Sequence, residues 1–191
     1  QLHAAALAPE EGVSAVLVAG PSGSGKTTLT MNLARRGWGF LSDDSVALSQ
    51  EGGGFSAAPV RLRFMQGLHG ETRKRPLDPD AEFPGRRLWN APVGALVFIE
   101  PGRTFSCSLS PLTPTQALSR LPALVPGFGP DTGRSQVRIL ARLAALPAFL
   151  LHSGTDVPLG GGSAAELLRD CLKQVRTPLG ATMKARPRIG A

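Results

Sequence analysis

The chain is predicted to fold as a single mixed α/β domain, a sheet with helices on its faces, and three features predict this. Continuous aliphatic runs such as "VSAVLVAG" (13–20) and "PVGALVFIE" (92–100) read as strands covered on both sides. Segments with apolar residues at helical spacing alternate with these runs, as helices joining strands of one sheet do. A glycine-rich stretch, "GPSGSGKTT" (20–28), joins the first central run to the first helical pattern.

Composition bounds the possibilities. At 191 residues the chain has the size of one domain, and a chain of that length buries on the order of 70% of its unfolded surface without metals or disulfides. Hydrophobic residues make up 42% and aromatics only 5%, with no tyrosine, so Leu, Val and Ala must fill the core. Cys107 and Cys171 belong to no CxxC or Cys/His cluster, which argues against a zinc site or disulfide framework and suits a reducing cytoplasm. The longest apolar stretch, "ILARLAALPAFLL" (139–151), is broken by Arg142 and Pro147, and it falls short of the ~20 residues a membrane span needs. The N-terminus lacks a signal-peptide pattern and begins without Met, so the chain reads as a piece of a longer protein. The formal net charge of +7 is gathered into residues 61–87 and a basic tail beyond Lys173. Neither cluster is interleaved with aromatics, which argues against nucleic acid as a partner and for an anionic nucleotide or acidic substrate.

The elements follow in order. "LHAAALA" (2–8) reads as a strand, "PEEG" as a turn and "VSAVLVAG" as a central strand. "SGKTTLTMNLARRG" (24–37) predicts a helix of about three turns that closes on basic Arg35 and Arg36 and stops at Gly37. "GFLSDDSVALS" (39–49) is the next strand. The turn "EGGG" (51–54) then makes 45–64 a β-hairpin whose returning strand alternates Val60, Leu62 and Phe64 with Arg61 and Arg63. Those two arginines read as a solvated face. From Met65 to Ala91 the Pro, Gly and charge content rises without periodicity, which predicts a long loop bordering the site. "PVGALVFIE" is a buried strand and "TFSCSLSPL" (104–112) its partner; Thr113 is the N-cap and Pro114 the N1 residue of a following helix. "SQVRILARLAAL" (135–146) is a helix, "PAFLLHS" (147–153) a strand, and Ser163 caps a last helix over 163–175. Residues 1–177 are expected to form the domain and 178–191 a flexible basic tail.

Residues 20–27 match GxxxxGK[ST] in full, between a buried strand and a helix as the phosphate-binding mechanism requires. Gly20, Pro21, Ser22, Gly23, Ser24, Gly25, Lys26, Thr27 and Thr28 form the nucleotide-binding set. The glycines turn backbone N–H groups toward one anion, the helix N-terminus adds partial positive charge, and Lys26 reaches the β and γ phosphates. The Thr27 hydroxyl is a magnesium ligand. Asp43 and Asp44 lie on the strand after the loop's helix, which returns the chain beside the phosphates. One carboxylate can meet the metal, and the other can serve as base toward an attacking hydroxyl.

The string "GPSGSGKTTLTMNLARRGWGFLSDDSVAL", with "LHAAAL" before it, resembles the C-terminal catalytic domain of the HPr serine kinase family. The resemblance implies a P-loop mixed sheet of the HPr kinase C-terminal and PEP carboxykinase-like type, with ATP and Mg2+ as cofactors. It implies that Asp43 is the base toward the acceptor, that Asp44 is the metal-side ligand, and that His3 on the preceding strand joins the catalytic cluster with Lys26. It also leaves room for a homo-oligomer. Bifunctional members carry a Glu-Ile-Arg-Gly-Leu-Gly type segment after the hairpin, where this chain reads "RLRFMQGLHGETRKRP". The expected activity is therefore an HPr-kinase-like transfer of the γ-phosphoryl group to a Ser or Thr hydroxyl of a protein or peptide. Two alternatives stay open: a small-molecule kinase of the shikimate kinase type, and a non-catalytic nucleotide-binding module.

Overall fold

The computed structural model describes residues 1–9, 13–66, 75–129, 133–154 and 162–174. Ten strands and five α-helices are found among them: β1 (Ala4–Ala8), β2 (Ala15–Ala19), α1 (Lys26–Arg35), β3 (Gly39–Ser42), β4 (Val46–Glu51), β5 (Gly54–Pro59), β6 (Phe64–Gln66), β7 (Arg75–Leu77), α2 (Pro79–Glu82), β8 (Ala91–Pro101), β9 (Ser108–Leu112), α3 (Pro114–Arg120), α4 (Arg134–Ala144), β10 (Ala148–Ser153) and α5 (Gly162–Gln174).

The main sheet runs in the order β3-β1-β2-β8-β10-β9, with the β4–β5 hairpin joined through β5 to β8. Its centre is parallel, β2 beside β8 beside β10, while β1, β3 and β9 are antiparallel to their neighbours. All of β1 and β2 is buried, as their unbroken aliphatic composition dictates. Successive residues of β8 serve opposite faces. Ala95, Val97 and Ile99 pack with Leu29 and Leu33 of α1 and Leu168 of α5, whereas Leu96 and Phe98 pack with Ala117 of α3 and Leu140 and Leu143 of α4. A mixed α/β sheet flanked by helices is thus the observed class.

The local signals are mostly realised. Thr113 caps α3 through a reciprocal pair: its hydroxyl accepts from the Gln116 N–H, and the Gln116 side chain accepts from the Thr113 N–H. The β4–β5 hairpin turns at Gly52 and Gly53, both at positive φ.

Several expectations are corrected. Residues 65–91 are not a featureless loop, because β6 and β7 pair antiparallel as a separate ribbon and α2 follows them. Phe64 belongs to that ribbon rather than to the hairpin, anchored edge-on against Phe40 with ring centroids 5.0 Å apart. The strand after β8 does not pair with it; β10 inserts between β8 and β9. Ser163, expected as a cap, lies inside α5 and accepts the backbone N–H of Cys107 at 2.9 Å. The turn at residues 10–12, His69, Arg73, Lys74 and the tail at 178–191 lie outside the described residues. No helix among the described residues is long and apolar enough to cross a membrane.

Candidate active site

The glycine-rich loop leaves the C-terminal end of β2 and enters α1, at the edge of the parallel strands where wound sheets place ligands. Gly20 fits only because it lacks a side chain: a Cβ there would lie 2.7 Å from the Ile99 carbonyl oxygen and 2.8 Å from Ser24 Oγ. Gly25 occupies the N-cap of α1 at φ 95°, a left-handed conformation that glycine adopts without strain. It brings no capping side chain, and no acidic residue stands in the helix's first turn. The first N–H groups of α1 therefore keep their capacity to bind an anion.

Lys26 is 6% exposed, and its Nζ donates to the carbonyl oxygens of Gly20 at 2.7 Å and Pro21 at 3.0 Å. The lysine thus lies across the loop it serves. Ser24 Oγ is buried in the loop with no hydrogen-bond partner among the described residues. A buried hydroxyl without a partner is costly, and a phosphate oxygen would satisfy it. The donor set fits a polyphosphate.

β1 and β3 are neighbours, and this pairing brings His3, Asp43 and Asp44 to the same edge. The Thr27 hydroxyl donates to Asp43 Oδ2 at 2.8 Å. Asp43 is 2% exposed, and its carboxyl is pushed above its ordinary range, chiefly by burial and further by the neighbouring Asp44 charge. Hydrogen bonds from Thr27, its own N–H and the Met65 N–H oppose that rise. Thr27 and Asp43 offer two oxygens. That suits magnesium, which takes one or two protein ligands and completes its shell with phosphate and water.

Asp44 is about one-third exposed and faces the other way. Its Oδ1 lies 3.3 Å from His3 Nδ1, and its Oδ2 accepts from Arg61 at 3.1 Å and from the Ser45 hydroxyl at 3.2 Å. The two acids therefore have distinct surroundings, one inside with Thr27 and one at the mouth with His3. A cavity of about 380 Å3 opens beside Gly20, Pro21 and Ser22. His3 stands at its side, Phe98 and Leu124 line it, and Glu100 and Arg120, 3.9 Å apart, complete its rim. Thr28 follows in the first turn of α1.

Arg61 was not among the residues expected at the site. Its position was readable from the hairpin register: Val46 pairs with Pro59 and Gln50 with Phe55, and extending that ladder sets Arg61 opposite Asp44. Of the other arginines in that region, Arg86 donates to the Gly37 carbonyl and Arg87 holds Asp80 and the Leu62 carbonyl.

No protein-family model matches the chain, and no curated protein matches it. Among solved structures it is similar to the HPr(Ser) kinase/phosphatase from Coxiella burnetii, with a TM-score of 0.52 and 16% identity over 88% of this chain and 93% of that one. The two share a fold.

Proposed function

We propose that the protein is an ATP-dependent, magnesium-requiring kinase that transfers the γ-phosphoryl group to a Ser or Thr hydroxyl of a protein or peptide. The observation that carries the reading is the 2.8 Å hydrogen bond from Thr27 to Asp43, which ties the acidic strand to the phosphate loop. The loop from Gly20 to Thr28 would hold the polyphosphate, with Lys26 turning from the Gly20 and Pro21 carbonyls to phosphate oxygens. Thr27 and Asp43 would hold magnesium, and bound MgATP supplies the phosphoryl group and neutralises its charge.

This reading exchanges the roles that the resemblance implied, Asp43 as base and Asp44 as metal-side ligand. The 2.8 Å bond from the Thr27 hydroxyl supports a metal-side role for Asp43, and the half-buried Asp44, 3.3 Å from His3, would accept the proton of the acceptor hydroxyl. The fold of the HPr(Ser) kinase/phosphatase supports a phosphotransferase. The β4–β5 hairpin directly after the acids disfavours the shikimate kinase type, in which a helix follows. A cytoplasmic location fits ATP as donor and two cysteines that form no disulfide.

The test is transfer from γ-labelled ATP to Ser- and Thr-containing peptides alongside hydroxylated metabolites, with and without magnesium. Label in peptide, dependent on magnesium and lost in Asp44→Asn while nucleotide still binds, is the expected result. Bound nucleotide with no transfer to any hydroxyl leaves only a binding module.

A further inference from the structure

Residues 60–65 run alongside both acids. Val60 N–H donates to the Ser45 carbonyl at 3.2 Å, Arg61 reaches Asp44, and Met65 N–H reaches the Asp43 carboxylate. Phe64 is fully buried under the segment, while Val60, Leu62 and Met65 are 43%, 50% and 38% exposed. Scattered exposed aliphatic residues mean little. Here they are joined by a fixed support: Arg87 donates to the Leu62 carbonyl at 2.7 Å and lies 5.6 Å from the Trp89 ring, which is itself half-exposed. The Arg87 side chain is 5% exposed and held by Asp80, so Leu62 and Trp89 share one buried support.

We infer, resting on the kinase reading above, that this ledge is where the acceptor polypeptide docks, and that Arg61 and Arg63 select an acceptor with acidic side chains next to the Ser or Thr. Arg61 and Arg63 are both exposed on the segment, and the charges that face it among the described residues include Asp43, Asp44, engaged by Arg61, and Arg87, paired with Asp80. An extended peptide laid along 60–65 would set apolar side chains against Leu62 and Trp89 and its hydroxyl at the mouth beside Asp44. An acidic neighbour of that hydroxyl draws the Arg61 guanidinium to itself and frees Asp44 Oδ2 for the hydroxyl's proton. Acceptor binding and release of the base are then one event.

The experiment compares three fluorescein-labelled peptides that share one Ser and one Leu and differ only in flanking Asp, Asn or Lys. Binding is read by anisotropy with magnesium and a non-hydrolysable ATP analogue, and transfer is read separately with ATP. The Asp peptide is expected to bind about tenfold more tightly than the Lys peptide at low salt and to lose that margin as salt rises. Arg63→Glu should reduce the margin and Arg61→Glu with Arg63→Glu should invert it, while Arg134→Glu on α4, equal in charge change to the single variant, should leave it intact. Equal binding of the three peptides, or an unchanged preference in the double variant, overturns the ledge even if all are phosphorylated, in which case the kinase reading stands. Preferential binding of the Asp peptide, with no transfer to it or to any other hydroxyl, sustains the ledge and sinks the kinase reading. No binding of any peptide overturns the ledge, and transfer to a metabolite would then identify the acceptor class instead.

Discussion

Replacing Asp43 by asparagine should make the nucleotide-free protein more stable while abolishing its activity. The carboxyl is 2% exposed and lies beside Asp44, and both circumstances raise its proton affinity above that of the unfolded chain, whose reference value is 3.8. A group whose folded value is raised contributes stability below its unfolded value and loses it as pH climbs through the folded one, so at neutral pH the ionised Asp43 is a burden on the fold. Each tenfold of raised proton affinity corresponds to about 1.4 kcal/mol, and for a chain of this length that is a Tm difference of about 3–6 °C. An asparagine is neutral at every pH, and the Thr27 hydroxyl can reverse to accept from its amide, so little is lost locally. The assay is thermal unfolding by circular dichroism from about pH 4 to pH 8, with magnesium and nucleotide absent. The Asp43→Asn variant should melt above the parent at neutral pH, and the gap should close toward the acid end. Adding MgATP analogue should reverse the order, since saturation at a hundred times Kd gives the parent about 2.7 kcal/mol. A variant that melts below the parent at neutral pH, or a gap that ignores acidification, refutes the account of Asp43.

Two other outcomes follow from the loop. Lys26→Ala should weaken ATP-analogue binding by about 1.5–3 kcal/mol, the worth of a charged hydrogen bond, seen by calorimetry as a loss of about ten- to a hundredfold; unaltered affinity would show that Lys26 stays with the Gly20 and Pro21 carbonyls. Gly20→Ala should cost about 1–3 kcal/mol in urea unfolding, because its Cβ meets a backbone carbonyl that cannot step aside, and it should weaken nucleotide binding as the loop shifts; a neutral effect would mean that Ile99 yields.

The sequence showed the phosphate loop and the strand-helix-strand unit around it because their signals are local: glycines at fixed spacing, aliphatic runs and a helix stop at Gly37. It also showed His3, Asp43 and Asp44 as candidates, and the β1–β3 pairing sets all three at one edge. Which carboxylate turns inward was not legible, since that depends on the path of β3 and on the Met65 N–H arriving from another element. Strands as short as β6 and β7, three residues each and one containing Pro76, leave no periodicity to detect. The insertion of β10 between β8 and β9 is a matter of long-range pairing, which composition does not encode. Arg61 looked like a solvated residue because alternation reports only which face a side chain takes, not what waits across the hairpin.

Helix α1 begins without the side-chain cap that α3 enjoys at Thr113. Its opening turn is thus left incomplete by the polypeptide, and an anion bound at the loop would finish it. A serine or aspartate in place of Gly25 would meet the strain of a left-handed φ of 95°, and one that escaped it into an extended capping conformation would take the donors that a bound phosphate would need.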